Sequence, residues 1–403
     1  MPTRGATRFF LAGLVVYACA QWLHTGQLFA QSHWPYYVYY AHALLDGQLH
    51  FDVLPPAALD LVVYHGRAYL YHPPFPSLLM APAVVVFGIG LPDRFVSVLL
   101  GALDGALFYG LLLALDREGF ARSDERERGL LTALFLFGTV HEYLVVTANH
   151  WELSQVVTIW GVLLALLAAL AGRPVAMALA LVAVLWTRSH VVLVASAPLG
   201  LYLWRERRRG GTWDTSLRRL APAAALGVAG VALLLAFDAA RFGNAFETGT
   251  SYQNMHGMFR ANFERYGLFD LHYLPRNLNA LLIATPIASA RFPFATFSPH
   301  GLSIFLATPF YLYLLRSLRR ETRPQAAILW AGVVPVLVPV LLTIGTGEIQ
   351  FGHRYSADVQ PLLLPLAWLG AGMRFTRTGL ALLVASIAMN ALGTWWFVST
   401  YAN

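Results

Sequence analysis

Long apolar runs separated by short polar segments dominate the pattern along this chain. A run of roughly 18 or more apolar residues is long enough to cross a bilayer as a helix. The pattern predicts eleven spans, at about Phe9–His24, Phe95–Leu115, 129–147, 153–171, 174–188, 190–204, 220–241, 301–315, 326–345, 357–373 and 378–398. We therefore predict an all-α polytopic membrane protein in which residues 1–403 form a single membrane domain.

The segment Pro74–Gly90 is also apolar, but it begins with Pro-Pro-Phe-Pro and contains Pro82. It is either a further span or a helix that lies at the membrane surface. If it is interfacial, the arginine-rich stretches DREGFARSDERERG, RERRRGG, RSLRRETR and MRFTR all lie on the side of the N-terminus, as the positive-inside rule favours. This choice predicts a cytoplasmic N-terminus and interfacial helices in the first external loop.

Composition supports the membrane assignment and gives no indication of a nucleic-acid partner. Charged residues make up 12% of the chain, about half the share usual for soluble domains. The net charge of +7 comes entirely from arginine, which in a membrane protein usually marks cytoplasmic loops, and no nucleic-acid motif is present. Cys19 is the only cysteine, so a disulfide framework is excluded. The first 24 residues lack a signal-peptidase site of the A-x-A type and are predicted to stay attached.

Four segments are predicted to lie outside the membrane on the face opposite the N-terminus. They are the first external loop 25–94, the short connection 148–152, the long segment 242–300 and the late loop 346–358. The segment 242–300 is long for a connection between spans and is rich in aromatic, asparagine, histidine and arginine residues. We predict that it is an ordered lid.

Aromatic residues crowd the first external loop. They are Trp34, Tyr36, Tyr37, Tyr39 and Tyr40, and the acids Asp46, Asp52 and Asp60 follow them. One interpretation is an aromatic belt at the membrane surface with solvated acids. The other is a surface that binds a sugar or a headgroup, because aromatic rings stack on sugar C–H faces and a carboxylate accepts a hydroxyl proton. Asp60 is then the favoured base, since its apolar neighbours would raise its pKa.

The late loop contains a second stretch rich in polar residues, with the sequence Gly-Glu-Ile-Gln-Phe-Gly-His353-Arg354-Tyr355-Ser-Ala-Asp358. A guanidinium such as that of Arg354 can bind a phosphate with two N–H groups, whereas the alternative is an interfacial arginine that extends to water. The ends of two other spans carry Glu152 and Arg188 on the same predicted face. Glu152 is therefore a second candidate acid and Arg188 a second candidate phosphate ligand.

Ionisable residues inside the predicted spans include Asp104 and Glu142. Such groups are costly in a bilayer, so they indicate either a function or a hydrogen bond between helices. The thirteen histidines form no His-Glu-x-x-His pattern, and no Cys-x-x-Cys pair exists. We predict no structural metal and no cofactor, while a loosely bound divalent cation stays open.

Three motifs carry a resemblance to a known family. They are Tyr37-Val-Tyr-Tyr-Ala41-His-Ala-Leu-Leu-Asp-Gly47, Tyr71-His72-Pro73-Pro74-Phe75-Pro76, and Gln350-Phe-Gly-His353-Arg354-Tyr355 followed by Asp358. Together they cover the N-terminal third and one late loop. The layout resembles the GT-C glycosyltransferases, and most closely the branch that contains protein O-mannosyltransferases and lipid A aminoarabinose transferases.

The resemblance implies an inverting enzyme of the bacterial inner membrane with a periplasmic active site. Its donor would be a polyprenyl-phosphate sugar, and its acceptor a hydroxyl of a lipid, glycan or protein. The residues expected at the donor phosphate are Arg354, Arg188, Tyr355 and His353, and those expected around the rest of the substrates are Tyr37, Tyr40, Tyr71, His72 and Asp358.

The sequence departs from the family at one point. Family members commonly place an Asp or an Asp-Glu pair just before the first tyrosine motif, where this chain has Gln31-Ser32-His33-Trp34. Either His33 substitutes for the acid, or Asp60 or Glu152 does, or the activity is altered or lost. Two alternatives therefore remain: a transporter or flippase for a lipid-linked or anionic substrate, although no inverted repeat is visible, and a non-catalytic relative that binds polyprenyl lipids.

Overall fold

The protein is described here by a computed structural model that covers residues 3–290 and 294–401. The described residues form sixteen α-helices: α1 (Arg4–Thr25), α2 (Tyr36–Leu45), α3 (Phe75–Phe87), α4 (Asp93–Arg117), α5 (Glu125–Phe137), α6 (His141–Thr147), α7 (His150–Leu170), α8 (Pro174–Leu185), α9 (Ser196–Arg208), α10 (Trp213–Phe242), α11 (Gly257–Tyr266), α12 (Leu274–Leu278), α13 (Ile304–Ala307), α14 (Arg323–Leu342), α15 (Gln360–Gly370) and α16 (Arg377–Tyr401).

Shorter elements connect these helices. Six 3₁₀ helices comprise Gly88–Gly90, Ser189–Ala195, Thr250–Tyr252, Leu271–Tyr273, Pro309–Arg316 and Arg354–Val359, and Asn279–Ile283 is a π-helix. Two antiparallel hairpins pair β1 (Val62–Tyr64) with β2 (Arg67–Tyr69) and β3 (Ile287–Ala288) with β4 (Ala295–Thr296). The helical class predicted from the sequence is therefore confirmed.

Six of the described helices are long and apolar enough to cross a bilayer, namely α1, α4, α7, α10, α14 and α16. The pair α5 and α6, bent by 48°, makes a seventh if it is one span. The predicted span at 174–188 is the short helix α8, and those at 190–204, 301–315 and 357–373 each combine a 3₁₀ helix with an α-helix. The membrane assignment is confirmed, while the count of eleven and the interfacial position of 74–90 stay predictions.

Local sequence explains where several helices begin and end. The side chain of Asp124 accepts a hydrogen bond from the Glu127 amide and the Glu127 side chain accepts one from the Asp124 amide, so a capping box starts α5. Gly243 follows α10 at φ 72°, a left-handed conformation that glycine adopts without a steric penalty. The ends of these helices therefore coincide with the polar residues that separate the apolar runs in the sequence.

Helix α7 lies at the centre of the bundle and packs against α4 and α8. Glycines permit this close approach: a Cβ at Gly161 of α7 would lie 2.7 Å from Val184 Cγ2 of α8. Similarly, a Cβ at Gly101 of α4 would overlap the side chain of Val145 in α6. Close packing of small residues is the usual means by which helices associate in lipid. The first residues of α7 are consequently held in a fixed position at one end of the bundle.

The first external loop has its own small core, built on α2 and α3. The first residues of the loop are held by Asp93, which accepts hydrogen bonds from the Ser32 amide and the Ser32 hydroxyl, each at 2.6 Å. The hairpin β1–β2 turns at His65 and Gly66, both at positive φ, as a two-residue hairpin turn requires. The loop is therefore an ordered platform above the ends of the spans.

The described part of the segment 242–300 is tied to the platform and to the late loop. Val62 of β1 forms an antiparallel bridge with Gln253, and the Asn254 amide donates to the Leu61 carbonyl at 2.8 Å. At its other end, the Gln350 side chain donates to the His300 carbonyl at 2.8 Å. These attachments hold the segment across the same end of the bundle that carries the first loop.

Candidate active site

Two buried arginines lie where helices are interrupted at this end of the bundle. Arg188 stands in an extended conformation between α8 and the 3₁₀ helix Ser189–Ala195, and Arg354 begins the 3₁₀ helix Arg354–Val359. Each is only 7% exposed. Arg354 is oriented by its own loop, since its Nε donates to the Gly347 carbonyl at 2.9 Å and its amide donates to Gln350 Oε1 at 2.9 Å.

Each arginine is paired with one buried carboxylate. Arg188 contacts Asp358 Oδ2 through Nε at 3.2 Å and through Nη2 at 3.1 Å. Arg354 contacts Glu152 Oε1 through Nη1 at 3.4 Å. Buried charges need such partners because water is excluded. The two pairs join the start of α7, the end of α8 and the late loop into one polar cluster.

The ring of Tyr355 lies close to both guanidinium groups. The Cζ atoms of Arg188 and Arg354 are 5.2 and 5.4 Å from the ring centroid, within the range of cation–π attraction. Tyr355 itself is half-buried. One aromatic ring therefore contacts both positive charges of the cluster.

Asp60 approaches this cluster from the first external loop. Its Oδ2 accepts a hydrogen bond from Trp151 Nε1 at 3.2 Å, and its backbone has a φ of 63°. Burial raises the pKa of Asp60, while hydrogen bonds from Trp151 and Gln253 and the charge of Arg354 oppose that rise. A half-buried carboxyl with a raised pKa, beside a cationic cluster, is suited to accept a proton.

Rings from the first loop, together with His150 of α7, form a wall of the site. The centroids of Tyr71 and His72 are 3.9 Å apart, and those of Tyr37 and His150 are 6.3 Å apart. Burial lowers the pKa of His72 well below its usual value, and the positive charges nearby lower it further. Burial raises the pKa of Tyr71, and the carboxylate of Asp60 raises it further. The wall is therefore neutral and places two hydroxyl-bearing rings near the charged groups.

The structure brings most of the residues selected from the sequence into one cluster: Asp60, Glu152, Arg188, Arg354, Tyr355, Asp358, Tyr37, Tyr71 and His72. Of the three others, His33 and Tyr40 lie outside the cluster and His353 is fully buried next to Arg354. The catalytic and binding roles of all of them stay predictions.

His33 is exposed, and its ring contacts Trp34, which in turn contacts Trp151. These two indoles connect it to Asp60. Tyr40 is buried in the loop core, where its hydroxyl donates to the Leu49 carbonyl at 2.9 Å. His353 is fully buried, and burial lowers its pKa to about 4, so its ring offers no positive charge to a phosphate at neutral pH.

Sequence reasoning did not single out three side chains that hold the cluster together. Trp151 binds Asp60, Gln350 orients Arg354, and Gln155 donates to the Arg354 carbonyl at 2.7 Å. Trp151 directly precedes Glu152, and Gln350 stands in the same motif as Arg354. Proximity in sequence to the charged residues was the available signal, but it does not say which neighbour makes the contact.

One group of metal-ligating side chains is found in the described part of the chain, outside this cluster. It consists of His42, Asp46 and Asp52, whose ligand atoms lie within 4.8 Å of one another near the end of α2. His42 Nδ1 is 3.0 Å from Asp52 Oδ2 and 3.6 Å from Asp46 Oδ2, so the imidazole already pairs with both acids. The predictions about metals and cofactors stay predictions.

The fold is similar to those of solved membrane glycosyltransferases. ArnT from Cupriavidus metallidurans, bound to undecaprenyl phosphate, aligns with 96% of this chain and 63% of its own, at 16% identity and a TM-score of 0.52. The apo form of the Archaeoglobus fulgidus oligosaccharyltransferase aligns with 98% of this chain and 56% of its own, at 14% identity and a TM-score of 0.48.

The chain spans less than two thirds of the length of either of these structures. No protein-family model matches the sequence, and no curated protein matches it. ArnT and the archaeal oligosaccharyltransferase are both glycosyltransferases of the GT-C superfamily. The similarity to ArnT therefore identifies the architecture in which the cluster of arginines and acids is placed.

Proposed function

We propose that this chain, which has the GT-C fold, transfers a monosaccharide from a polyprenyl-phosphate donor to an acceptor hydroxyl. The observation that carries the proposal is the approach of both Arg188 and Arg354 to the ring of Tyr355, with Asp60 close enough to Arg354 for its pKa to be affected by that charge. The undecaprenyl phosphate in the ArnT structure supports a polyprenyl phosphate as the lipid that leaves.

Arg354 is the better candidate for the donor phosphate. Its Nε and Nη1 are engaged by Gly347 and Glu152, while its Nη2 makes no hydrogen bond to a described residue. Arg188 directs Nε and Nη2 at Asp358 and Nη1 at Ser154 Oγ, so all three of its nitrogens have partners. The donor phosphate gains negative charge as its bond to the sugar breaks, and fixed guanidinium groups stabilise that change.

Asp60 is the proposed base, in preference to Glu152. Glu152 is 3% exposed and paired with Arg354, whereas Asp60 is half-buried and lies beneath the segment 242–300. Asp60 accepts the acceptor hydroxyl proton as that oxygen forms a bond to the sugar C1. The C1–O bond to the phosphate breaks, its electron pair leaves with the polyprenyl phosphate, and the configuration at C1 inverts.

The segment 242–300 is proposed to close over the acceptor and to exclude water from the reacting sugar. Its pairing with Leu61 and Val62 supports this role, because the pairing covers the loop that carries Asp60. The wall formed by Tyr37, Tyr71 and His72 would contact the sugar. The acceptor is a hydroxyl of a lipid, a glycan or a protein.

We also propose that the protein lies in a bacterial inner membrane, with its N-terminus in the cytoplasm and the cluster at the periplasmic face. The positive-inside rule supports this orientation, since the arginine-rich stretches lie at the opposite ends of the spans. The reaction as written uses no cofactor, and a loosely bound divalent cation remains compatible with it.

The test is mass spectrometry of lipids that co-purify with the detergent-solubilised protein, together with transfer assays on extracted polyprenyl-phosphate sugars. Arg354→Ala is compared with Arg67→Ala, an exposed arginine beside the turn of the β1–β2 hairpin. Enrichment of a polyprenyl-phosphate sugar in the wild type and in Arg67→Ala, and its loss in Arg354→Ala, would support the proposal and name the sugar.

Other outcomes favour the alternatives. A polyprenyl lipid that is bound but never turned over would favour a non-catalytic relative. Translocation of the lipid across a vesicle membrane without a glycosylated product would favour a flippase, a class that also uses interrupted helices. Bulk phospholipid alone in all three proteins would contradict the proposed donor.

A further inference from the structure

A groove of about 500 Å³ lies at the arginine-rich end of the bundle, away from the candidate active site. It runs between α9 and α14 and is lined by Gly200, Leu203, Trp204, Arg207, Arg208 and Ile328. The volume is in the range of small-molecule sites. Because neither helix contributes to the arginine–acid cluster, the groove has no part in the function proposed above.

The walls of the groove are apolar and face outward from the bundle. Gly200 allows the two helices to approach, since a Cβ there would lie 2.8 Å from Ile328 Cγ2. Leu203 and Ile328 are half-buried, and the adjacent Leu199 is 38% exposed. Ile328 belongs to α14, which is apolar and long enough to cross a bilayer, and Leu203 belongs to the predicted span 190–204. On that prediction the groove opens toward the hydrocarbon of the bilayer and suits an acyl chain.

The rim of the groove carries two arginines that differ from their neighbours. Most arginines around the end of α9 have carboxylate partners, namely Arg205 with Glu206, Arg209 with Glu118, Arg218 with Asp214 and Arg219 with Glu206. Arg207 and Arg208 have no carboxylate within ion-pair distance among the residues that the structure describes. No ion pair with a described carboxylate therefore offsets either positive charge.

Both guanidinium groups are nevertheless held in place. Arg207 lies over the Trp213 ring, with its Cζ 4.3 Å from the centroid. Arg208 donates from Nη1 to the Gly119 carbonyl at 3.1 Å. An arginine has five N–H donors, so each side chain keeps several for an anion. The indoles of Trp204 and Trp213 stand beside them, as is typical of the membrane interface.

We propose that this groove binds one anionic phospholipid of the surrounding leaflet. The headgroup phosphate accepts hydrogen bonds from Arg207 and Arg208, and an acyl chain lies along Leu203 and Ile328. A zwitterionic lipid offers its phosphate together with a cationic group, which the two arginines disfavour. Basic sites between helices at the cytoplasmic surface recognise anionic headgroups by this combination of charge and apolar contact.

The test measures binding of phosphatidylglycerol and phosphatidylethanolamine to the full-length protein by native mass spectrometry from detergent. Arg207→Gln/Arg208→Gln is compared with Arg319→Gln/Arg320→Gln, which removes the same charge from two exposed arginines at the same end of the bundle but outside the groove. We expect the first pair to weaken phosphatidylglycerol binding by roughly tenfold and the second pair to change it less than about twofold.

A second variant tests the apolar wall of the groove while both arginines are kept. Leu203→Trp fills the apolar wall and keeps both arginines, so it should also weaken phosphatidylglycerol binding while the protein stays monodisperse in size-exclusion chromatography. Equal losses in the two arginine pairs, equal binding of phosphatidylethanolamine, or unchanged binding in Leu203→Trp would each overturn the proposal. Competition by the water-soluble headgroup glycerophosphoglycerol at equal concentration would overturn it too, because the apolar wall would then be irrelevant.

Discussion

The indole Nε1 of Trp151 donates a hydrogen bond to Asp60 Oδ2 at 3.2 Å, across 91 positions of sequence. Trp151 belongs to the first turn of α7, the most enclosed span of the bundle, whereas Asp60 belongs to the first external loop. The bond fixes the loop carboxylate relative to Arg354, which pairs with the next residue of α7, Glu152. The positions of Asp60, the proposed base, and of Arg354, the proposed phosphate ligand, therefore both depend on the first turn of α7.

The role of Asp60 as a base predicts a large effect of removing its charge. Asp60→Asn should lower the rate of transfer by about 10²- to 10⁴-fold, the usual contribution of a positioned general base. Asp46→Asn, an exposed acid of the same loop, should leave the rate nearly unchanged. Rates are measured with saturating donor in nanodiscs. A rate for Asp60→Asn within a few-fold of wild type would assign the proton transfer to another group.

The raised pKa of Asp60 predicts a pH dependence. A base must be ionised, so the activity falls as the pH drops through the pKa of Asp60, which burial places above the ordinary aspartate value of 3.8. The Trp151 hydrogen bond favours the ionised form. Trp151→Phe should therefore move the acid limb of the pH–rate profile to higher pH and leave the plateau less affected.

The control for that experiment is Trp330→Phe, which removes an indole hydrogen bond to Ser317 at the arginine-rich end of the bundle. Its pH–rate profile should match that of the wild type. If Trp151→Phe leaves the acid limb in place, or moves it to lower pH, Asp60 is not the group whose ionisation limits the reaction.

The ion pair between Arg354 and Glu152 predicts separate effects on stability and activity. Arg354→Gln leaves Glu152 buried without its partner and should destabilise the protein by about 3 kcal/mol. The double variant Glu152→Gln/Arg354→Gln removes both charges and should recover most of the thermal stability but none of the activity. Recovery of activity in the double variant would show that the pair serves only the fold.

The pairing of the segment 242–300 with the first loop predicts that a cross-link will block turnover. Residues paired across an antiparallel bridge have Cα atoms about 4.5–5.5 Å apart, a distance that a disulfide can span. In a Cys19→Ser background, Val62→Cys/Gln253→Cys should form a disulfide, lose activity by at least about tenfold when oxidised, and regain it on reduction, because the acceptor could no longer enter.

Each single cysteine variant in the same background provides the control and should be insensitive to oxidation. Full activity of the oxidised double variant would mean that the acceptor reaches Asp60 without movement of this segment. Mass spectrometry of the intact protein measures the extent of cross-linking, so that residual activity can be attributed correctly.

The sequence by itself determined the environment of this protein and the residue types available for its chemistry. Hydropathy is a local property that adds up along the chain, so the apolar helices and the arginine-rich segments could be recognised from the sequence alone. The number of spans and the external position of the loops stay predictions. The late-loop motif also selected Arg354, Tyr355 and Asp358, and the apolar neighbours of Asp60 selected that acid.

Only the tertiary structure decided which of these residues meet. Asp358 pairs with Arg188 at a separation of 170 positions, and Arg354 pairs with Glu152 at 202. Four predicted spans, 129–147, 190–204, 301–315 and 357–373, are interrupted rather than continuous. Backbone groups outside an α-helix can lie at membrane depth only where neighbouring elements enclose them. Both the ion pairs and the interruptions of the spans depend on packing between segments that are distant in sequence. The periodic pattern of apolar residues along the chain contains no information about that packing.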